Sequence, residues 1–230
     1  NLAAYGILLS CEHGGNEVPP AYQRLFAGHE EVLESHRGWD PGTLNLGKLL
    51  AEGLRAPLIV STTTRLLIEM NRSLGHEQLF SEYSQLLTPE EKELLICQYY
   101  LPYRRQVLQQ IHHYRSEGKP ALHFSLHSFT PVWQGKERQV DIGLLFDPAR
   151  KTESKIAGQL KKQLQQSLPE MHTCFNEPYL GTDDGLTTYL RALFPDGFYA
   201  GIEIEVNQKW VDTAMMPRIL EALKLAIATL

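Results

Sequence analysis

Short apolar runs, most of them rich in branched side chains, recur along this chain and alternate with longer stretches of helical periodicity. Tyr5–Ser10, Pro57–Ser61, Leu66–Met70, Ala121–Leu126, Asp141–Phe146 and Gly201–Val206 read as strands. Several lack strict alternation of apolar and polar positions, as expected of strands covered on both faces. Between them, Leu44–Leu54 carries apolar residues at helical spacing behind the lead-in Pro41-Gly42-Thr43. Thr88-Pro89-Glu90-Glu91 is a helix start: a capping hydroxyl, proline in the first turn, then acids where the helix dipole favours them. Pro102–Arg115 continues as helix until Gly118-Lys119-Pro120 ends it, and Glu153–Leu168 and Thr213–Leu230 are amphipathic helices.

This alternation predicts an α/β fold, a three-layer α/β/α sandwich around a mixed, mainly parallel sheet. No internal repeat, low-complexity tract or linker interrupts it. The expectation is one domain over residues 1–230, with a helical excursion at about 73–116.

Composition narrows the functional classes. The chain is 43% hydrophobic and 21% charged, ordinary for a protein that buries a core. A net charge of -5 gives no general attraction to nucleic acid. No apolar run approaches the ~20 residues that span a bilayer, and no secretory leader pattern is read at the start. The three cysteines, Cys11, Cys97 and Cys174, are scattered and odd in number. A reducing, cytoplasmic setting fits them better than a disulfide framework does.

Candidate chemistry gathers where strands should end. His13 follows the first strand and precedes Gly14-Gly15; His127 follows Ala121–Leu126 and precedes Ser128. In open α/β sheets, ligands collect at the carboxyl ends of strands. A lone histidine there is more often structural than functional. Two of them meet the need of a metal site for donors from separate segments. A third donor has two candidates, Glu17 and Asp40, and the latter also suits a helix N-cap. His36 lies four residues ahead of Asp40, as a further site group or an ordinary loop histidine. Asn71-Arg72 follows the Leu66–Met70 run and Arg65 precedes it. Two guanidiniums so placed could clamp a carboxylate, or could make surface ion pairs. Glu203 and Glu205 share one face of the last apolar run by period two. A carboxylate there is costly unless it is paired or functional, so Glu205 is a candidate general base or an ion-pair partner of Arg65 or Arg72.

Taken in order, His13-x-Gly15, His36-x-x-Trp39-Asp40-x-Gly42, Arg65 with Asn71-Arg72, His127-Ser128-Phe129-Thr130-Pro131, Asn176-Glu177-Pro178-Tyr179 and Ile204-Glu205 resemble the N-formylglutamate amidohydrolase family over nearly the whole chain. That family is similar in fold to zinc carboxypeptidases and aspartoacylases. The resemblance implies one zinc ion held by His13 and His127, carboxylate binding by Asn71 and Arg72, and Glu205 as the base. It also implies a small carboxylate-bearing amide as substrate, as in histidine degradation. Arg65 would hold a second carboxylate or assist the oxyanion, with His36 at the substrate. The third residue after His13 is Asn16 where carboxypeptidases have glutamate. The corresponding helix here begins near Asp40, so Asp40 is the expected third ligand and Glu17 the reserve.

Overall fold

Strand β1 (Gly6–Cys11) lies between β2 (Leu58–Val60) and β3 (Ala121–Phe129), parallel to both. The computed structural model describes residues 4–230. After β1 come a 3-10 turn (Pro20–Phe26) and helices α1 (Glu30–Glu34) and α2 (Thr43–Leu54). After β2, α3 (Pro89–Leu95) runs through a π-helical stretch into α4 (Leu101–Ser116). Beyond β3 lies a small hairpin of β4 (Val132–Trp133) and β5 (Lys136–Glu137). The order closes with β6 (Ile142–Leu145), α5 (Lys151–Ser167), β7 (Thr173–Phe175), α6 (Leu186–Leu193), β8 (Tyr199–Asn207) and α7 (Met215–Ala228).

The main sheet runs β2-β1-β3-β8-β6-β7. All its neighbours are parallel except β6 and β8, which are antiparallel. Helices cover both faces, so the expected mixed, mainly parallel α/β/α sandwich is what forms. One apolar core packs α2, α5 and α7 against one face. A second packs α3, α4, α6 and the Leu66–Met70 run against the other.

Period two sorts the central strands. On β3, Leu122, Phe124 and Leu126 enter the first core, while His123, Ser125 and His127 point to the α4 side. On β8, Ala200, Ile202, Ile204 and Val206 enter the first core, leaving Glu203 and Glu205 opposite. Parallel pairing places Ser125 beside Glu203 and His127 beside Glu205. One face of the central strands therefore changes from apolar to polar along its length, and the polar end carries the site.

Two expectations need correction. Leu66–Met70 is buried but forms turns, not a strand. Side chains and the Leu79 carbonyl, which accepts from Glu69 N at 2.9 Å, satisfy its backbone in place of a neighbouring strand. The Leu66 carbonyl accepts from Ser84 Oγ at 3.2 Å and from Ser81 Oγ. The Met70 carbonyl accepts from Arg104 Nε at 3.2 Å and Nη2 at 3.0 Å. Second, β3 does not stop before His127. It continues to Phe129, because β8 pairs with it through Asn207. Elsewhere, Thr88 forms a full capping box with Glu91, as its sequence suggests.

The excursion after β2 bears on the site. From α4, the buried Arg104 also donates to the Arg72 carbonyl at 2.9 Å, and Tyr100 OH reaches that carbonyl at 2.6 Å. The Asn71-Arg72 backbone is thus hung from α4. Arg104→Ala would strand the Met70 carbonyl, and its unfolding free energy in urea should fall by about 1–3 kcal/mol, the cost of one buried unsatisfied polar group.

Candidate active site

His13 sits in the turn just past β1. Its carbonyl accepts from Asp40 N at 3.0 Å, and Gly14 N bonds the Ser61 carbonyl at 2.9 Å. A Cβ on Gly15 would lie 2.8 Å from the Thr62 carbonyl oxygen, so the chain turns here only without a side chain. Asp40 precedes α2, where Thr43 Oγ1 caps the Asp40 carbonyl at 2.7 Å. His127 and Glu205 come from the paired strands β3 and β8.

These pieces converge. His13, Asp40 and His127, all buried, each offer one ligand atom, and these atoms lie within 4.8 Å of one another. The imidazole centroids are 5.1 Å apart. Both rings turn Nδ1 to the same oxygen: Asp40 Oδ2 lies 3.3 Å from His13 Nδ1 and 3.0 Å from His127 Nδ1. The opposite ring nitrogens face carboxylates. His127 Nε2 is 3.0 Å from Glu12 Oε2, and His13 Nε2 is bonded to Glu69 Oε1. Each acid is itself held. Glu12 accepts from Tyr103 OH at 2.6 Å and from Ser125 Oγ; Glu69 accepts from Asn71 N at 3.0 Å and Arg65 Nε at 2.8 Å. A proton on each Nε2 directed at its acid leaves both Nδ1 lone pairs pointing at one spot beside Asp40, the tautomer a metal requires. Among the described residues this is the only such group of three or more histidines, cysteines and acids.

The electrostatics follow from dry, crowded charge. Burial disfavours protonation of both imidazoles. Glu69 and Asp40 outweigh it at His13, Asp40 and Glu12 outweigh it at His127, and both rings are pushed above the ordinary histidine range. Burial raises the carboxyls of Asp40, Glu12 and Glu69, yet neighbouring imidazoles, with Arg65 beside Asp40 and Glu69, hold all three well below the usual range. Glu205 behaves differently. Burial dominates, Asp40 and Glu203 add repulsion, and its carboxyl rises to about 7. Its Oε2 is buried and has no hydrogen-bond partner.

His13, Asp40, His127 and Glu205 line a cleft of about 190 Å³ that also takes in Arg65, Asn71, Arg72, Tyr179, Leu180 and Glu203. A profile of the N-formylglutamate amidohydrolase family matches residues 5–211. The chain belongs to that family. It is therefore a hydrolase of amide bonds. Among solved structures, a gene product of Agrobacterium tumefaciens is similar, with 26% identity and a TM-score of 0.79 over 99% of this chain and 93% of that one. An N-formylglutamate amidohydrolase from Ralstonia eutropha shares the fold, with 17% identity and a TM-score of 0.74 over 98% of this chain and 92% of that one. No significant match was found among curated protein sequences.

In this amidohydrolase, the structure brings together His13, Asp40, His127, Glu205, Arg65, Asn71 and Arg72. Arg65 spans two acids, with Nη1 3.2 Å from Asp40 Oδ1 and Nη2 2.7 Å from Glu69 Oε2. The Asn71 side-chain oxygen Oδ1 accepts from Leu186 N at 2.7 Å, which leaves its amide NH2 for the cleft. Glu17 is elsewhere: its carboxylate accepts from Thr62 Oγ1 at 2.7 Å in an exposed pairing. His36 is exposed and lines a neighbouring groove, not the cleft itself. Glu12, Glu69 and Tyr179 went unassigned in the sequence. For both acids the signal was present: Glu69 lies inside an apolar run, the same sign that marks Glu205, and Glu12 directly follows one.

Metal titration against a chelator should show Glu12→Gln and Glu69→Gln each binding metal about 10–100-fold more weakly. Asp40→Ala should lose it and Glu17→Ala keep it. Glu205 ionises near 7 when folded and at its ordinary lower value when unfolded, so its burial costs stability as pH rises through that window. Metal-free Glu205→Gln should be more stable than the parent at pH 8, by about 1–3 kcal/mol in urea, with little difference at pH 4.5.

Proposed function

We propose that the cleft is the active site of a zinc-dependent amidohydrolase whose substrates are N-acylated acidic amino acids such as N-formylglutamate. The carrying observation is the meeting of His13, Asp40 and His127 on one point, with an unpartnered oxygen of Glu205 in the same cleft. Two nitrogens and one carboxylate oxygen are a donor set of catalytic zinc sites, which keep a further position open. When bound, the ion supplies Lewis acidity to the scissile carbonyl and makes an attacking water more acidic.

The residues of the chain do the rest. Glu205, ionised above about pH 7 without metal, accepts the proton of the attacking water and returns it to the departing amine. Arg65 is only partly buried, and its guanidinium faces the cleft with a fixed positive charge where the oxyanion develops. Both its acids hold it rigidly, so little reorganisation accompanies the reaction. Asn71 and Arg72 receive the substrate carboxylate. Arg72 is anchored by one Nη to the Asp184 carbonyl, and its backbone is fixed by Arg104.

Zinc-loaded protein should release glutamate from N-formylglutamate. Glu205→Gln should keep its zinc and lose about 10²–10⁴-fold in kcat, the usual worth of a positioned acid–base group. Arg72→Ala should act mainly on KM. Full turnover by the Glu205 variant would remove it as the base.

A further inference from the structure

A second groove, of about 350 Å³, opens beside the cleft. The two meet at Asp40, Arg65, Ser128 and Tyr179, so the Asp40 side of the metal triad is the border between them. An amide that places its carbonyl at that border must direct its amine moiety to one side and its acyl moiety to the other. Asn71 and Arg72 lie only in the cleft, and this marks the cleft as the amine side. The groove is left for the acyl side. A formyl group carries just a hydrogen there and would leave the groove unfilled.

The walls indicate what fills it. Trp133 on the β4–β5 hairpin and Tyr179 expose aromatic rings to the groove, with Phe129 buried behind them and polar groups of His36, Arg37, Gln78 and Gln208 on the remaining walls. Trp133 is 51% exposed and Tyr179 43%, an unusual display of large rings at the mouth of a polar site. They are not loose. The Arg138 guanidinium stacks 5.3 Å from the Trp133 ring, 5.1 Å from Tyr179 and 5.5 Å from Phe129, and binds Tyr179 OH at 3.2 Å. Asn176 Oδ1 accepts from Phe146 N and Gly181 N, each at 3.0 Å, and this fixes the loop that carries Tyr179. Arg138 thus holds one side of the two exposed rings, and their remaining surface is fixed in place for the face of a flat group.

We infer that the groove is an acyl subsite and that this enzyme takes N-acyl acidic amino acids whose acyl group is large, apolar and flat, of aryl size, in preference to formyl. This rests on the amidohydrolase reading above and specifies its substrate class. The test is kcat/KM of the zinc-loaded protein on N-formyl-, N-acetyl- and N-phenylacetyl-L-glutamate, repeated with Trp133→Ala. The expected result is at least a tenfold preference for the phenylacetyl substrate over the formyl one, with Trp133→Ala cutting that ratio about tenfold. A preference for formyl or acetyl, or a Trp133 variant that leaves the ratio unchanged, overturns the subsite while the amidohydrolase reading stands. No glutamate release from any of the three overturns both.

Discussion

More negative charge is buried beneath the cleft than the chain itself neutralises. Glu12, Asp40, Glu69 and Glu205 are each nearly inaccessible to water, and the single guanidinium among them is that of Arg65. Such a cluster survives only if positive charge accumulates beside it. Without metal, protons fill the role: both imidazoles are drawn toward the charged form, and Glu205 tends to stay neutral. A divalent ion with neutral imidazoles would bring the same two charges and free the Nδ1 lone pairs. Much of the rest of the site, from the hydroxyl of Tyr103 on Glu12 to the two guanidinium nitrogens of Arg65 on Glu69 Oε2, keeps this excess acid in place.

The sheet makes this arrangement available at modest cost. Strands β1, β3 and β8 carry an unbroken apolar face toward α2, α5 and α7, which secures their register. The opposite face is then free to become polar near the strand ends. There, pairing sets His127 beside Glu205 without any loop having to find the geometry. A one-residue slip would turn these groups into the apolar core, so the packing of one face specifies the chemistry of the other.

Much of this was legible in the sequence. Five of the six expected strands form, and the alternation with helices pointed to the layered class. His13, Asp40, His127 and Glu205 stood out as polar residues at the ends of apolar runs. Other features depend on contacts that no local pattern reveals. Leu66–Met70 has the composition of a strand, but its backbone bonds to the side chains of Ser81, Ser84 and Arg104 and to the Leu79 carbonyl. Period two says which residues share a face, but not that Glu12 would lie against His127 and Glu69 against His13; those contacts join segments far apart in the chain. The placement of His36 outside the cleft depends on the path of the loop between His13 and Asp40, which carries no periodicity to read.

Arg104 and the β4–β5 hairpin divide the surroundings of the reaction unequally. The Asn71-Arg72 arm is tied through buried hydrogen bonds into a helix whose side chains belong to the core. The opposite wall rests on two strands of two residues each, paired with each other and joined to no other sheet. Substitutions that disturb the first weaken folding; those in the second leave the interior untouched. The architecture thus leaves one flank of the cleft open to change in sequence without cost to the core, while the other is tied to the need to fold.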